Sequence, residues 1–308
     1  MAEREDEQGP NQGFRSGYVA LLGAPNVGKS TLMNQLLQQK IAITAPKPQT
    51  TRNRIVGVLN RPQLQVIFLD TPGIHKARDR FNKILVDTAL ATLEEVDVIC
   101  FVAEAPNPRR ELDRFVLECM RGVQTPVILA LNKIDLMVKP ELLPIIDGYQ
   151  KLWPFAAIVP ISALTGDGTE ALLGELTGHI EEGPRYYPDD FVTDQPERFI
   201  VAELVREKVF HLTQQEVPYA VAVTVEKFKE QTAAKRIDIE ATIHVERDSQ
   251  KGIVIGKGAA MLKEIGRQAR IDIERLLGAR VYLGLFVRVQ KDWRKDTRML
   301  TELGYRGR

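Results

Sequence analysis

Five short runs rich in Val, Ile and Leu recur between Tyr18 and Ile180, with helix-spaced stretches between them. They are Tyr18–Gly23, Gln65–Asp70, Val96–Ala103, Pro126–Asn132 and Ala156–Ser162. None alternates polar with apolar residues, so each strand must be buried on both faces. A sheet buried on both faces needs helices on both sides, and Phe81–Leu93 and Glu111–Arg121 have helical spacing. The expectation is an α/β domain with a mixed, mostly parallel sheet. The mixture comes from Arg54–Asn60, joined to the next run through Arg61-Pro62. That link is too short for a helical crossover and predicts an antiparallel hairpin.

The 308 residues suggest two domains, each long enough for its own core. With 44% hydrophobic and 27% charged residues, the composition is that of a soluble globular protein. No apolar run reaches membrane-spanning length, and residues 1–16 read as a polar, disordered tail. Cys100 and Cys119 lie in apolar stretches and read as buried thiols of a cytoplasmic protein. The four histidines have no metal-ligand spacing.

The first domain is expected at residues 17–182. A Pro-, Gly- and acid-rich linker follows at 183–196, and a second domain at 197–308. Glu197–Thr213 has helical spacing, while Tyr219–Phe228 and Arg236–Arg247 alternate with period two, so each should have one wet face. Ile253–Ile255 is a strand-like lead-in to a glycine-rich turn. A helix to about Leu277 and a strand at Arg280–Val289 complete a smaller α+β domain. Residues 251–308 hold 14 Lys and Arg against 6 Asp and Glu, a net +8; the remainder holds 28 against 35, a net −7. The basic end suggests a polyanionic partner, or a solvated helix face.

Gly23-Ala24-Pro25-Asn26-Val27-Gly28-Lys29-Ser30 follows the first strand and opens a helix at Lys29–Leu37. It matches the phosphate-loop pattern: backbone N–H groups wrap a β-phosphate, Lys29 reaches β- and γ-phosphates, and Ser30 ligates Mg²⁺. Asp70-Thr71-Pro72-Gly73 ends a buried strand, where Asp70 can hold Mg²⁺ through water and the Gly73 N–H can meet a γ-phosphate. Asn132-Lys133-Ile134-Asp135 ends another. An ionised Asp135 only accepts hydrogen bonds, which fits the paired N–H donors of guanine and not adenine. Ser162-Ala163-Leu164 can add a backbone N–H to guanine O6. Four such signals in this order resemble the GTPase family.

That resemblance implies GTP hydrolysis to GDP and phosphate, with GTP contacts at Gly23 through Thr31, Asp70 through Ile74, Asn132 through Asp135, and Ser162 through Leu164. Lys29, Thr51 and Gly73 are the expected catalytic residues, and Ser30, Thr51 and Asp70 the Mg²⁺ set. Thr51, with Thr50 as the alternative, lies in a polar stretch that reads as a mobile switch loop. Ile74 stands where many switch GTPases place a water-orienting Gln, so intrinsic hydrolysis should be slow or use another route. Asn26 resembles an asparagine that some GTPases use to hold K⁺, and equally suits a turn.

The second domain's order of helix, two strands, helix, glycine turn, helix and strand resembles a type II KH domain. Joined to a GTPase domain, and with the run Val254-Ile255-Gly256-Lys257-Gly258-Ala259 and the ending Leu303-Gly304-Tyr305-Arg306, it resembles the Era family of bacterial GTPases. The family implies binding to the 3′ end of 16S ribosomal RNA in the 30S subunit or its precursor, a role in subunit assembly, peripheral membrane association, and a monomer. RNA contacts are expected at Ile255, Gly256, Lys257, Gly258, Ala259 and Lys263. The family's turn is Gly-x-x-Gly, and Ala259 departs from it. Either the backbone there is helical and alanine is harmless, or RNA affinity is reduced. Two other readings are an adaptor GTPase with protein or membrane partners, and an ATP-using kinase; the basic turn argues against the first and Asp135 against the second.

Overall fold

The structure, a computed structural model, describes residues 13–77, 79–231 and 235–305. Most of the expected tail (residues 1–12) and Arg306 lie outside the described residues. The first sheet comprises β1 (Arg15–Leu22), β2 (Ile55–Arg61), β3 (Leu64–Asp70), β4 (Val98–Glu104), β5 (Val127–Asn132) and β6 (Ala157–Pro160). Their spatial order is β2-β3-β1-β4-β5-β6. Only β2 runs antiparallel, paired with β3; the other pairings are parallel.

The helices of this domain are α1 (Lys29–Leu37), α2 (Arg80–Ala91), α3 (Arg110–Cys119), α4 (Leu142–Gln150) and α5 (Thr169–Gly178). Every residue of β4 and β5 is buried. Alternate positions feed two layers. Val98, Cys100 and Val102 join Leu32 of α1 and Leu172 of α5, whereas Ile99, Phe101 and Ala103 join Val86 of α2 and Val116 of α3. That is the period-two geometry of a strand buried on both faces. The parallel strands bring their carboxyl ends to one edge, where open α/β sheets bind ligands.

Three boundaries differ from expectation. β1 starts at Arg15, in register with Leu64, so residues 15–16 belong to the sheet and not the tail. α2 stops at Ala91, where a 3-10 turn takes over at Thr92–Glu95, and α3 ends at Cys119, leaving that thiol half-buried. The linker is anchored. Val58 N–H donates to Val192 O at 2.8 Å, Thr193 Oγ1 to Val56 O at 2.6 Å, and Gln65 Nε2 to Tyr187 O at 2.8 Å. The first two bonds cover the outer edge of β2, which would otherwise present unpaired backbone groups.

The second domain runs α6 (Glu197–Leu212), β7 (Ala222–Gln231), β8 (Arg236–Val245), α7 (Asp248–Ile255), α8 (Ala260–Leu277), β9 (Arg280–Val289) and α9 (Thr297–Glu302). Central β8 pairs antiparallel with β7 and parallel with β9. The expected lead-in strand at Ile253–Ile255 is instead the last turn of α7. Gln250 starts that helix by accepting the N–H groups of Glu246 and Arg247. An apolar run of three residues does not distinguish strand from helix. β8 also lacks its expected wet face: Asp238, Thr242 and His244 are buried between flanking strands, and Thr224 Oγ1 meets His244 Nε2 at 2.8 Å. An aromatic cluster joins the domains, with Phe81 and Leu85 of α2 against Trp293, Leu300 and Tyr305.

Candidate functional site

A cleft of about 640 Å³ opens at the carboxyl ends of the parallel strands. Its floor is the turn between β1 and α1, and Asn132 cross-links that turn to its neighbours. Asn132 Nδ2 donates to Val27 O at 2.7 Å, while Oδ1 accepts from Lys133 N–H (2.8 Å) and Ala163 N–H (2.9 Å). Gly28, at φ 103°, would place a Cβ 2.2 Å from Asn132 Nδ2. Any larger residue would break this cross-link. Gly73 is equally confined, its hypothetical Cβ 2.6 Å from Pro25 Cα, and Ile74 N–H donates to Gly23 O at 3.1 Å. The Asp70–Gly73 segment is thus locked onto the phosphate turn.

Lys29 is buried and folds over its own turn, donating to Gly23 O (3.2 Å) and Ala24 O (2.9 Å). Burial lowers its pKa to about 8, against a smaller opposing pull from Asp70. Phosphate oxygens beside it would raise that pKa again. Ser30 Oγ donates to Asp70 Oδ2 at 2.6 Å and lies 2.7 Å from Thr51 Oγ1, which itself lies 3.2 Å from Asp70 Oδ2. Burial raises the Asp70 pKa, and Asp70 Oδ1 is buried without a hydrogen-bond partner. Two hydroxyls and one under-satisfied carboxylate suit a hard cation completed by phosphate oxygens. Among the described residues no cluster of three or more His, Cys, Asp or Glu could hold a metal by itself. Thr50 turns away, donating to Lys47 O at 2.8 Å.

At the other end, Asp135 accepts from Ser162 Oγ at 2.6 Å. Ser162 N–H is spent on Asp167 O and Ala163 N–H on Asn132 Oδ1. Leu164 lines the cleft with an exposed side chain. Pro25, Asn26 and Thr31 also line it. The side chains of Ala24, Val27 and Ile74 belong to the core, Ile134 packs against it, Pro72 is buried, and Thr71 donates to Leu21 O. These residues offer a ligand only their backbones. Ile74, fully buried, presents nothing to orient water.

Three ionisable cleft residues escaped the sequence reading. Glu104 ends β4 and pairs with Lys133 Nζ at 3.2 Å and Arg109 Nη2 at 3.7 Å; Arg109 Nη1 also donates to Pro25 O at 3.1 Å. An acid closing a buried strand, as Asp70 does, was the available signal for Glu104. His211 reaches the cleft from the second domain, which no local pattern reveals.

The second site is the turn between α7 and α8. Gly256, Gly258 and Ala259 have φ of 71°, 60° and 62°. Ala259 is therefore left-handed, not helical, and the harmless alternative is ruled out. No side chain caps the N-terminus of α8, a geometry that suits an anion. Lys257 is exposed on the turn. Beside it a groove of about 350 Å³ is lined by Ala259, by Leu262, Lys263, Arg267 and Arg270 of α8 and by Leu283 and Leu285 of β9. Cations edge this apolar floor, as single-stranded RNA requires. Gly256 and Ile255 shape the turn without lining the groove.

Residues 18–133 match the family described as 50S ribosome-binding GTPase, and residues 216–294 match the KH domain family. The chain is 56% identical to GTPase Era of Geotalea uraniireducens (strain Rf4), over 95% of this chain and 98% of that one. It is 54% identical to GTPase Era of Geobacter metallireducens, with the same coverage. A crystal structure of an Aquifex aeolicus Era variant bound to GDP and AlF4⁻ superposes with TM-score 0.91 at 41% identity, covering 95% of this chain and 99% of that one. Era in complex with MgGDPNP and nucleotides 1506–1542 of 16S ribosomal RNA superposes with TM-score 0.92 at 42% identity and the same coverage.

Proposed function

Since the chain belongs to the Era family of GTPases, we propose that it is a GTP-hydrolysing switch that binds the 3′ end of 16S ribosomal RNA and acts in 30S subunit assembly. One observation carries this reading. A single chain holds a Ser30, Thr51 and Asp70 oxygen cluster beside a phosphate turn and a basic-edged groove beside a glycine turn.

GTP is the substrate. Its triphosphate lies along Gly23–Thr31, where Lys29 exchanges the carbonyls of Gly23 and Ala24 for β- and γ-oxygens. Ser30, Thr51 and Asp70 would hold Mg²⁺, which when bound neutralises charge on those oxygens. The Gly73 N–H would face the γ-phosphate, and loss of that phosphate would remove one of the contacts that hold the Thr51 segment. Asp135 accepts both guanine N–H donors, and Leu164 N–H serves O6, because Ala163 N–H is already bonded. With Ile74 buried, hydrolysis rests on charge neutralisation; Asn26 would hold K⁺, which when bound would add positive charge beside the phosphates. Asn26 also serves the turn through its φ of 66°, and its Nδ2 ties that turn to Pro46 O at 2.9 Å.

Lys257, Gly258, Ala259 and the start of α8 hold RNA phosphate, while Lys263 and the apolar groove take bases. Any membrane association is peripheral: among the described residues no helix is long and apolar enough to cross a bilayer. The test is ultraviolet crosslinking of the full chain to total RNA with a GTP analogue or GDP bound, followed by sequencing. Enrichment of the 3′ end of 16S RNA is expected, and its absence refutes the reading.

A further inference from the structure

The expected switch loop is buried at Thr50, Thr51 and Arg52, largely by groups of the second domain. Thr44 N–H donates to Glu207 Oε1, and Thr44 O lies 2.9 Å from His211 Nε2. Lys47 Nζ donates to Phe210 O and Thr213 O. Arg206 of α6, buried and ion-paired with Glu203, donates to Thr50 O. Arg52 enters the second domain outright. Its guanidinium lies 2.7 Å from Val221 O, 3.0 Å from Tyr219 O, 3.3 Å from Tyr305 Oη and 3.4 Å from Pro218 O. The rings of Phe81, Phe210, Trp293 and Tyr305 surround it, with centroids 5.4 to 5.9 Å away.

Thr51 sits between these two anchors. Its neighbour on one side has its carbonyl held by Arg206; its neighbour on the other is Arg52. Its own hydroxyl meets Ser30 and Asp70. We propose that Arg52 is a positioning residue: seated in the second domain, it fixes Thr51 at the Mg²⁺ site, so that the placement of the RNA-binding domain sets GTP-state affinity. This inference rests on the reading of Thr51 as a Mg²⁺ ligand.

The chemistry of the seat suits a reversible contact. Carbonyl dipoles and π-faces receive Arg52, and among the described residues no carboxylate lies within ion-pair distance of it. Separating a buried ion pair strands a charge on each side. Here separation returns one cation to water and leaves its direct partners neutral, while the Arg206–Glu203 pair beside them stays intact on α6. The seat exists only while Pro218–Val221 and Tyr305 stand together. Phe81, eleven residues after Asp70, packs edge-on to Trp293 and Tyr305 at 5.6 and 5.3 Å. The segment after the second phosphate motif is thereby braced by the same aromatic cluster. Coupling between two binding sites is reciprocal, so RNA and GTP must alter each other's affinity by one factor.

The test uses the full chain and the variants Arg52→Gln, Arg52→Lys and Tyr305→Phe. The last removes a single hydroxyl and guards against misfolding. Mg²⁺ titrations with a non-hydrolysable GTP analogue, GDP affinity, and analogue affinity with and without the RNA fragment are measured, with thermal unfolding as a control. Arg52→Gln should raise the Mg²⁺ needed for analogue binding by roughly tenfold and abolish the effect of RNA on it. GDP affinity should stay within about twofold, well inside ordinary coupling factors. Arg52→Lys and Tyr305→Phe should fall between Arg52→Gln and the parent. If analogue and GDP affinities fall together, or if coupling survives Arg52→Gln, the proposal fails. A parent chain whose analogue binding ignores Mg²⁺ would instead overturn the assignment of Thr51.

Discussion

Replacing Ala259 by glycine should stabilise the second domain. Ala259 occupies φ 62° and ψ 22° at the N-cap of α8. The left-handed region costs a residue bearing a Cβ about 1–2 kcal/mol. Glycine removes that cost but loses about 0.4–1 kcal/mol more entropy on folding. The balance is a gain of about 0.5–1 kcal/mol, which in a domain of this size moves the unfolding midpoint up by roughly 2–8 °C. Trp293 is fully buried in this half, so its fluorescence reports the transition once Trp153 is replaced by Phe. Gly258→Ala is the mirror control. Gly258 has φ 60° and nothing within 4 Å of a built Cβ, so its loss reflects backbone strain alone and should match the gain in size. Removing the Ala259 methyl from the groove lip should also tighten RNA binding. An Ala259→Gly variant that melts at the same or a lower temperature would refute the strain argument.

Asp135→Asn should weaken GTP by at least roughly a hundredfold, since two charge-assisted hydrogen bonds are lost. It should admit xanthosine triphosphate, whose second carbonyl accepts from the new amide; competition binding reads both. GTP turnover should be faster in KCl than in NaCl at equal ionic strength, and Asn26→Ala should erase the difference; equal parent rates would sink the K⁺ role. Asp113, buried beside Tyr149 Oη at 2.7 Å, has its pKa pushed up to about 6, chiefly by burial. Its contribution to stability is full below about pH 4 and is lost as pH rises through about 6. Asp113→Asn should therefore be more stable than the parent at pH 7.5 by up to about 3 kcal/mol, with no advantage at pH 4. Urea unfolding at both pH values measures the difference.

The α/β class of the first domain was legible because each buried run is continuous and four of the five lead into a polar motif. The two-residue link Arg61-Pro62 alone announced that β2 runs antiparallel. Asn132 was legible as the start of a motif at a strand end, and the structure adds its bond to the phosphate turn. Ile253–Ile255 misled because helix and strand differ there only in what precedes them, a Gln250 cap two or more residues upstream. The seat of Arg52 was invisible for another reason. Its partners, Pro218, Tyr219, Val221 and Tyr305, lie more than 160 residues away, and backbone carbonyls leave no sequence signature. A polar loop read as mobile is consequently half built by another domain. The polar face of β8 was misread in the same way, since two flanking strands bury it.

If one chain couples its guanine-nucleotide cleft to its RNA-binding groove, the bound nucleotide must change RNA affinity. The direct measurement is the affinity of the full chain for a 16S 3′-end RNA fragment, with Mg²⁺ and either a GTP analogue or GDP, across a salt series. Binding should be tighter with the analogue and should weaken steeply with salt as phosphate contacts release counterions. Lys257→Glu should weaken it in both states while leaving GTP hydrolysis intact. Equal affinity in the two nucleotide states would contradict the coupling, and binding indifferent to salt and to Lys257→Glu would contradict the RNA groove.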